Sequence, residues 1–228
     1  MKEMMTSCSD YSYCSDAGFL IFAMSNFVLY TFYDTVYMYL LDYAMEVGVP
    51  ADDAANLISA IGILNCIGMI AMGYVGDQPW SSPMLIYNVS MILCGISVII
   101  MPMVTDYYLL AASASVFGLF ISANYALTSV ILVDLVSLEA FSQAYGMLLL
   151  IQGVANLIGP PLVGLIADTT GNYVMPFVVS GIFIVVCGLM LNLIPLIKRC
   201  QRPSEPAEPT STPILAIDKR LHTTPIKV

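Results

Sequence analysis

Few side chains in this chain can do chemistry, and most of them are acids, amides or phenols. Asp34 stands inside a long apolar run. Tyr30, Tyr33, Asp34 and Tyr37 follow an i, i+3, i+4, i+7 spacing, which places them on one face of a helix. An Asp at mid-helix in lipid costs about 2.5–3.5 kcal/mol on insertion scales, so it calls for a partner or for water. Two readings stay open at this point. Asp34 lines a cavity and binds a proton or a cation there, or it lies wet near the outer interface with the tyrosines as an aromatic belt.

Amides recur at helical spacing. Asn65 and Met69 form an i, i+4 pair, with Ser59 and Cys66 nearby. Asn124 is followed by Thr128 and Ser129, and Gln152 pairs with Asn156. Each can line a solute path, and each can equally hydrogen-bond one helix to another. Asp77, Asp134 and Glu139 lie near helix ends with no basic neighbour. Gly159-Pro160-Pro161 is expected to break its helix inside the membrane. Freed backbone groups are tolerated there only beside protein or a water-filled cavity, which suits a moving part.

Other chemistries find little support. The six cysteines are Cys8, Cys14, Cys66, Cys94, Cys187 and Cys200, and the Cys8–Cys14 spacing fits no standard metal site. The single histidine, His222, lies near the C-terminal end, which excludes a two-His metal site. No cofactor is expected. Asn88-Val-Ser90 matches a glycosylation sequon but falls at the inner start of a candidate span, where it reads as a chance match. An intramembrane aspartyl protease needs Tyr-Asp and Gly-x-Gly-Asp. Tyr33-Asp34 meets the first half, but Tyr74-Val75-Gly76-Asp77 lacks the first glycine. Asp77 also falls in a turn, at a depth from which it cannot share a water with Asp34. The chain is therefore not expected to be an enzyme.

The elements that must position these residues follow from composition. Apolar types make up 59% of the 228 residues and charged types 10%, with a mean hydropathy of +0.85. That leaves too few polar side chains to coat a water-facing surface, so the expected solvent is the lipid bilayer. The net charge of -9 excludes a nucleic-acid partner. All seven basic residues lie at the two ends: Lys2, then Lys198, Arg199, Arg202, Lys219, Arg220 and Lys227. Basic residues beside spans stay on the cytoplasmic side, so both termini are expected there and the number of spans should be even.

A span needs about 20 apolar residues. Six stretches qualify, at 18–41, 55–75, 83–104, 108–132, 144–166 and 174–197. Lacking the alternation of barrel strands, they read as helices. The turn at Gly48-Val49-Pro50 offers Asp52 or Asp53 as a cap for the next helix, and Trp80 sits at an expected interface. The first apolar run is too long for a cleavable signal and should remain as an anchor. The expectation is an all-α membrane protein: a cytoplasmic segment at 1–16, a six-span bundle at 17–197, and a Pro-rich disordered cytoplasmic tail at 198–228.

Longer runs carry a resemblance. The stretch from 127 to 173 combines the acidic loop around Asp134 and Glu139, the Gly159-Pro160-Pro161 step and the Asp168-Thr-Thr-Gly171-Asn-Tyr173 turn. It resembles the monocarboxylate transporter branch of the major facilitator superfamily. Tyr37-Met-Tyr-Leu-Leu-Asp42 and Gly73-Tyr-Val-Gly-Asp77 are similar to that family too, and the likeness runs from about 17 to 197. The resemblance implies twelve spans in two six-helix bundles, of which these six look like the C-terminal bundle. It further implies alternating access at a midplane site, solute symport, a plasma-membrane location and cytoplasmic ends. A chain of this kind would be a partial sequence or a natural half-transporter, partnered by an N-terminal six-helix bundle or a second copy.

The family's substrate-pairing Arg in the eighth span aligns with Met69, and Asn65 stands where some members have Asp. The superfamily loop loses its cation at Asp77-Gln78. A buried carboxylate needs a positive partner or several donors. A neutral, cationic or aromatic small organic solute therefore suits this bundle better than a bare carboxylate. The candidate cavity residues are Tyr30, Tyr33, Asp34, Tyr37, Asn65, Met69, Asn124 and Gln152. Asp77, Asp134, Gly159, Pro160 and Pro161 are the candidate conformational residues. A non-transporting scaffold that binds and regulates a full-length relative is the competing expectation.

Overall fold

The computed structural model describes residues 17–79, 81–136, 138 and 140–194. The expected terminal segments, with Cys8, Cys14, Cys200 and His222, lie outside the described residues, as do Trp80 and Glu139. The helices are α1 (Ala17–Phe32), α2 (Thr35–Glu46), α3 (Ala51–Gly76), α4 (Pro83–Ile100), α5 (Tyr107–Leu135), α6 (Phe141–Thr170) and α7 (Val174–Leu191). A 3-10 turn at Met101–Met103 extends α4. Together α1 and α2 form one span, so six helical spans are long and apolar enough to cross a membrane.

Each span begins and ends for a local reason. Pro83 opens α4 at a first-turn position, where its missing N–H costs nothing. Asp106 caps α5 by accepting the Tyr108 amide at 3.0 Å. Gly171 closes α6 in the left-handed region, at φ 67°, where a side chain would strain the backbone. Asp52 and Asp53 do not cap α3. Pro50 holds the cap position and both acids sit in the first turn, where they complement the helix dipole instead.

Two expectations about helix continuity are reversed. The first span does not run as one rod through Asp34: it is interrupted at Tyr33–Asp34, and Asp34 precedes the first residue of α2. The Thr31 hydroxyl bonds back to the Phe27 carbonyl at 2.8 Å, a contact that bends helices, and Asp is a poor interior helix former. The fifth span, by contrast, does not break at Gly159-Pro160-Pro161. Helix α6 continues through both prolines to Thr170. The prolines remove the amides that would bond to the Asn156 and Leu157 carbonyls, but flanking turns keep the rod continuous.

Close approach between helices is built from small residues. A Cβ at Gly118 of α5 would stand 2.5 Å from the Ile61 carbonyl oxygen of α3, and one at Gly95 of α4 would stand 2.7 Å from the Gly181 carbonyl oxygen of α7. Gly68 and Gly159 are as tight, against Ser122 and the Thr31 carbonyl respectively. Gly62, Gly73 and Gly153 face open space, and Gly164 meets only the Tyr39 hydroxyl, so these four glycines do not bring helices of this bundle together.

The core lies among α1, α2, α4, α5 and α7, around Phe22, Tyr87, Met91, Phe117, Phe177 and Ile184. Ser25 donates to the Cys187 carbonyl at 3.3 Å, and Asn88 to Asn192 at 3.2 Å. At the opposite end Tyr43 donates to the Pro102 carbonyl at 2.8 Å. The first and last described residues therefore share one end of the bundle. Helices α3 and α6 flank this core and add Leu57, Ile61 and Leu148 to it from one face each: α3 packs mainly on α5 and α6 mainly on α1. Only 11% of the apolar window of α3 and 22% of that of α6 is buried, against 44–56% in the other spans.

Candidate functional site

The interruption in the first span organises the site. It places Asp34 half-buried at the level where α1 ends and α2 begins. The tyrosine face survives the kink. The rings of Tyr30 and Tyr33 meet edge-on with centroids 5.1 Å apart, Tyr33 and Tyr37 lie 6.3 Å apart, and Tyr37 meets Phe117 of α5 at 5.8 Å. Tyr125 of α5 completes the group. Asp34 is an electrostatic neighbour of Tyr30, Tyr33, Tyr37 and Tyr125. The rings pack on one another and on α5 while remaining partly exposed.

Beside this cluster runs an open groove of about 400 Å³, lined by Tyr37, Gly62, Asn65, Cys66, Met69 and Tyr125. Tyr37 and Tyr125 are shared walls, so groove and acid belong to one site. Asn65 and Met69 line it together, as their i, i+4 spacing on α3 requires. Gly62 adds width, one turn from Cys66. Cys66 is exposed, while Cys94 and Cys187 are buried and free.

Two expected cavity residues do something else. Asn124 accepts from the buried Tyr87 hydroxyl at 2.9 Å and donates to the Tyr30 hydroxyl at 2.9 Å, so one amide ties α1, α4 and α5 together. Gln152 donates to Asn26 at 3.0 Å, and Asn26 donates to the Phe22 carbonyl, which pins α6 to α1. Both amides therefore spend their polar atoms between helices, the structural one of the two open readings. Asn156, the helical neighbour of Gln152, keeps a buried Oδ1 with no hydrogen-bond partner among the described residues.

Of the conformational candidates, Gly159 lies directly against the Thr31 backbone, one turn before Asp34. The Pro160-Pro161 step and the interruption of the first span thus face each other across the α1–α6 contact. Asp77 follows the last residue of α3, and Asp134 lies exposed in the last turn of α5. Neither touches the groove. Asn88 is buried, as its chance-match reading requires.

Tyr125, Phe117 and Asn26 were missed from sequence. Tyr125 sits one residue after Asn124, on a helix whose apolar residues run nearly all the way round. Its signal was cross-helix, and no spacing within one span reveals such a partner. Among the described residues no group of three or more His, Cys, Asp or Glu could hold a metal ion. The segment 17–194 contains no Lys, Arg or His at all.

The chain thus sets an acid among tyrosines, at a helix interruption beside a groove lined by one amide. Comparison with known proteins gives the family. The model of the Major Facilitator Superfamily matches residues 18–226. The chain is 30% identical over 203 residues to monocarboxylate transporter 12 of Xenopus laevis, covering 88% of this chain and 44% of that protein. It is 28% identical over 211 residues to monocarboxylate transporter 12 of Mus musculus, covering 90% and 43%. It is 33% identical over 186 residues to monocarboxylate transporter 3 of Gallus gallus, covering 81% and 34%. These relatives are transporters rather than enzymes, and the chain spans less than half of their length. On the match over most of its length and its six-span helical architecture, the chain belongs to the Major Facilitator Superfamily.

Proposed function

We propose that this chain acts as the C-terminal six-helix half of a secondary transporter of the monocarboxylate transporter type, moving a small organic solute by alternating access. The observation that carries this reading is the inequality among the spans. Helices α3 and α6, one holding the groove and the other the double proline, are the least buried, and their apolar faces bear Ile63, Ile67, Ile70, Leu150, Leu157 and Leu165. A second six-helix bundle, from an N-terminal half or a second copy, covers those faces and closes the groove at its midplane. The bundle lies in the plasma membrane with both ends cytoplasmic, as the placement of the basic residues favours. Gly159, Pro160 and Pro161 let α6 flex against α1 as the halves rock, and Asp77 and Asp134 act at the inner ends.

Uptake into proteoliposomes tests it. Solute enters when this chain is reconstituted with a second bundle, and does not enter through demonstrably monomeric chain alone. Uptake by the monomer contradicts the half-transporter reading.

One observation favours a non-transporting scaffold: Met69 lines the groove where the resembling family places its Arg. Such a scaffold binds a full-length relative in a pull-down and adds no uptake of its own when co-reconstituted with that relative.

A further inference from the structure

We propose that Asp34 and the tyrosines around it recognise the cationic group of an organic solute, an ammonium or a guanidinium, delivered through the groove beside them; this rests on reading the chain as half of a solute transporter. Four features of the site converge on positive charge. Asp34 is a half-buried carboxylate, and residues 17–194 offer no Lys, Arg or His to pair with it. A buried charge is stable only when paired, and since this bundle holds no cation, a cationic solute can supply the counter-charge. Tyr30, Tyr33, Tyr37 and Tyr125 are electrostatic neighbours of the acid, and Tyr30, Tyr33 and Tyr37 lie in a chain of edge-on ring contacts. The ring faces carry negative quadrupole density, which attracts a cation and repels an anion.

The kink adds a third argument. Where transporter helices are interrupted, the N-terminus of a half-helix ordinarily attracts an anionic group of the substrate. Here Asp34 flanks that terminus, the start of α2, without capping it, and its negative charge repels a second carboxylate. Fourth, the groove walls contribute Asn65, a thioether at Met69 and the two shared tyrosines, and none of them carries a positive charge for an anion.

Cys66 lines the groove and reports on its occupancy. The 228-residue chain, carrying Cys8→Ser, Cys14→Ser and Cys200→Ser, is placed in lipid nanodiscs. Its labelling by a maleimide is timed with benzylammonium, benzyl alcohol or benzoate, three probes of one shape and different charge. Benzylammonium slows labelling severalfold, benzyl alcohol less, and benzoate not at all. Asp34→Asn raises the benzylammonium concentration needed for protection about tenfold, the equivalent of one lost charge-assisted contact. Asp34→Glu restores protection.

Equal protection by benzoate, protection by no probe, or unchanged protection in Asp34→Asn each overturns the proposal; the last is also the result expected if Asp34 carries only a proton. Should Asp34→Asn fail to fold, Tyr37→Phe and Tyr37→Leu decide. The ring-keeping variant retains protection and Leu loses it, and equal behaviour of the two overturns the cation site. Uptake in vesicles with a second bundle separates this from the transport reading. No uptake of any probe defeats transport while Cys66 protection still upholds the site. Uptake of benzoate in preference to benzylammonium defeats the site and leaves transport standing.

Discussion

Asn124 shows how much one amide can hold. Its carbonyl oxygen accepts from Tyr87, which is fully buried, and its amino group donates to Tyr30. Asn124→Leu keeps the volume but strands the Tyr87 hydroxyl in an apolar core, and should destabilise the bundle by about 1–2 kcal/mol. Thermal unfolding in detergent measures this, and an unchanged midpoint would show that the bridge is dispensable. Groove residues should behave in the opposite way. Met69 is exposed in the groove wall, so Met69→Arg should leave the unfolding midpoint alone. In the completed transporter it should raise carboxylate uptake by about tenfold, roughly the worth of one new charge pairing, at the expense of cationic probes. A fall in carboxylate uptake would count against Met69 as the charge-selecting position. From sequence, Asn65–Met69 and Tyr30–Tyr33–Tyr37 were legible because each set lies on one span and helical spacing alone brings it together. The split between Asn124 as a strut and Asn65 as a wall was not. Both are mid-span amides, and what distinguishes them is whether a partner stands across the gap, which one span cannot encode.

At the scale of elements, six apolar runs with polar breaks were enough to place every span. Continuity was harder to read. A double proline looked like a break and Asp34 looked like mid-helix, yet α6 runs on and the first span is interrupted. Proline removes donors without forcing an end when flanking turns hold. A threonine back-bond beside an aspartate can end a helix with no proline present. The contact between Gly159 and the Thr31 carbonyl joins these two irregularities. Gly159→Ala should push α1 and α6 apart and lower stability by about 1–3 kcal/mol, the usual cost of overpacking. Pro160→Ala should leave the unfolding midpoint unchanged or higher, because the Asn156 carbonyl regains a donor, and should slow uptake severalfold in the completed transporter. Equal uptake rates for wild type and Pro160→Ala would remove the step from the moving parts.

For the molecule as a whole, what stands out is the division between a packed interior and two helices that lean on it from one side each. A cysteine at Ile67 or Leu157 should react readily with a lipophilic maleimide in the isolated chain and become protected when a second bundle is bound. Similar reactivity in both states would leave those faces to lipid. The open glycines Gly62, Gly73 and Gly153 belong to the same two helices. Filling them meets no resistance from the chain itself, and an alanine in a helix is favoured over glycine by about 1 kcal/mol. A mutational survey scored on folding would thus record these notches as silent or even improvable, while one scored on assembly would find them intolerant. On the half-transporter reading, selection for a sturdier bundle is, at these positions, selection against the proposed complex with a second bundle.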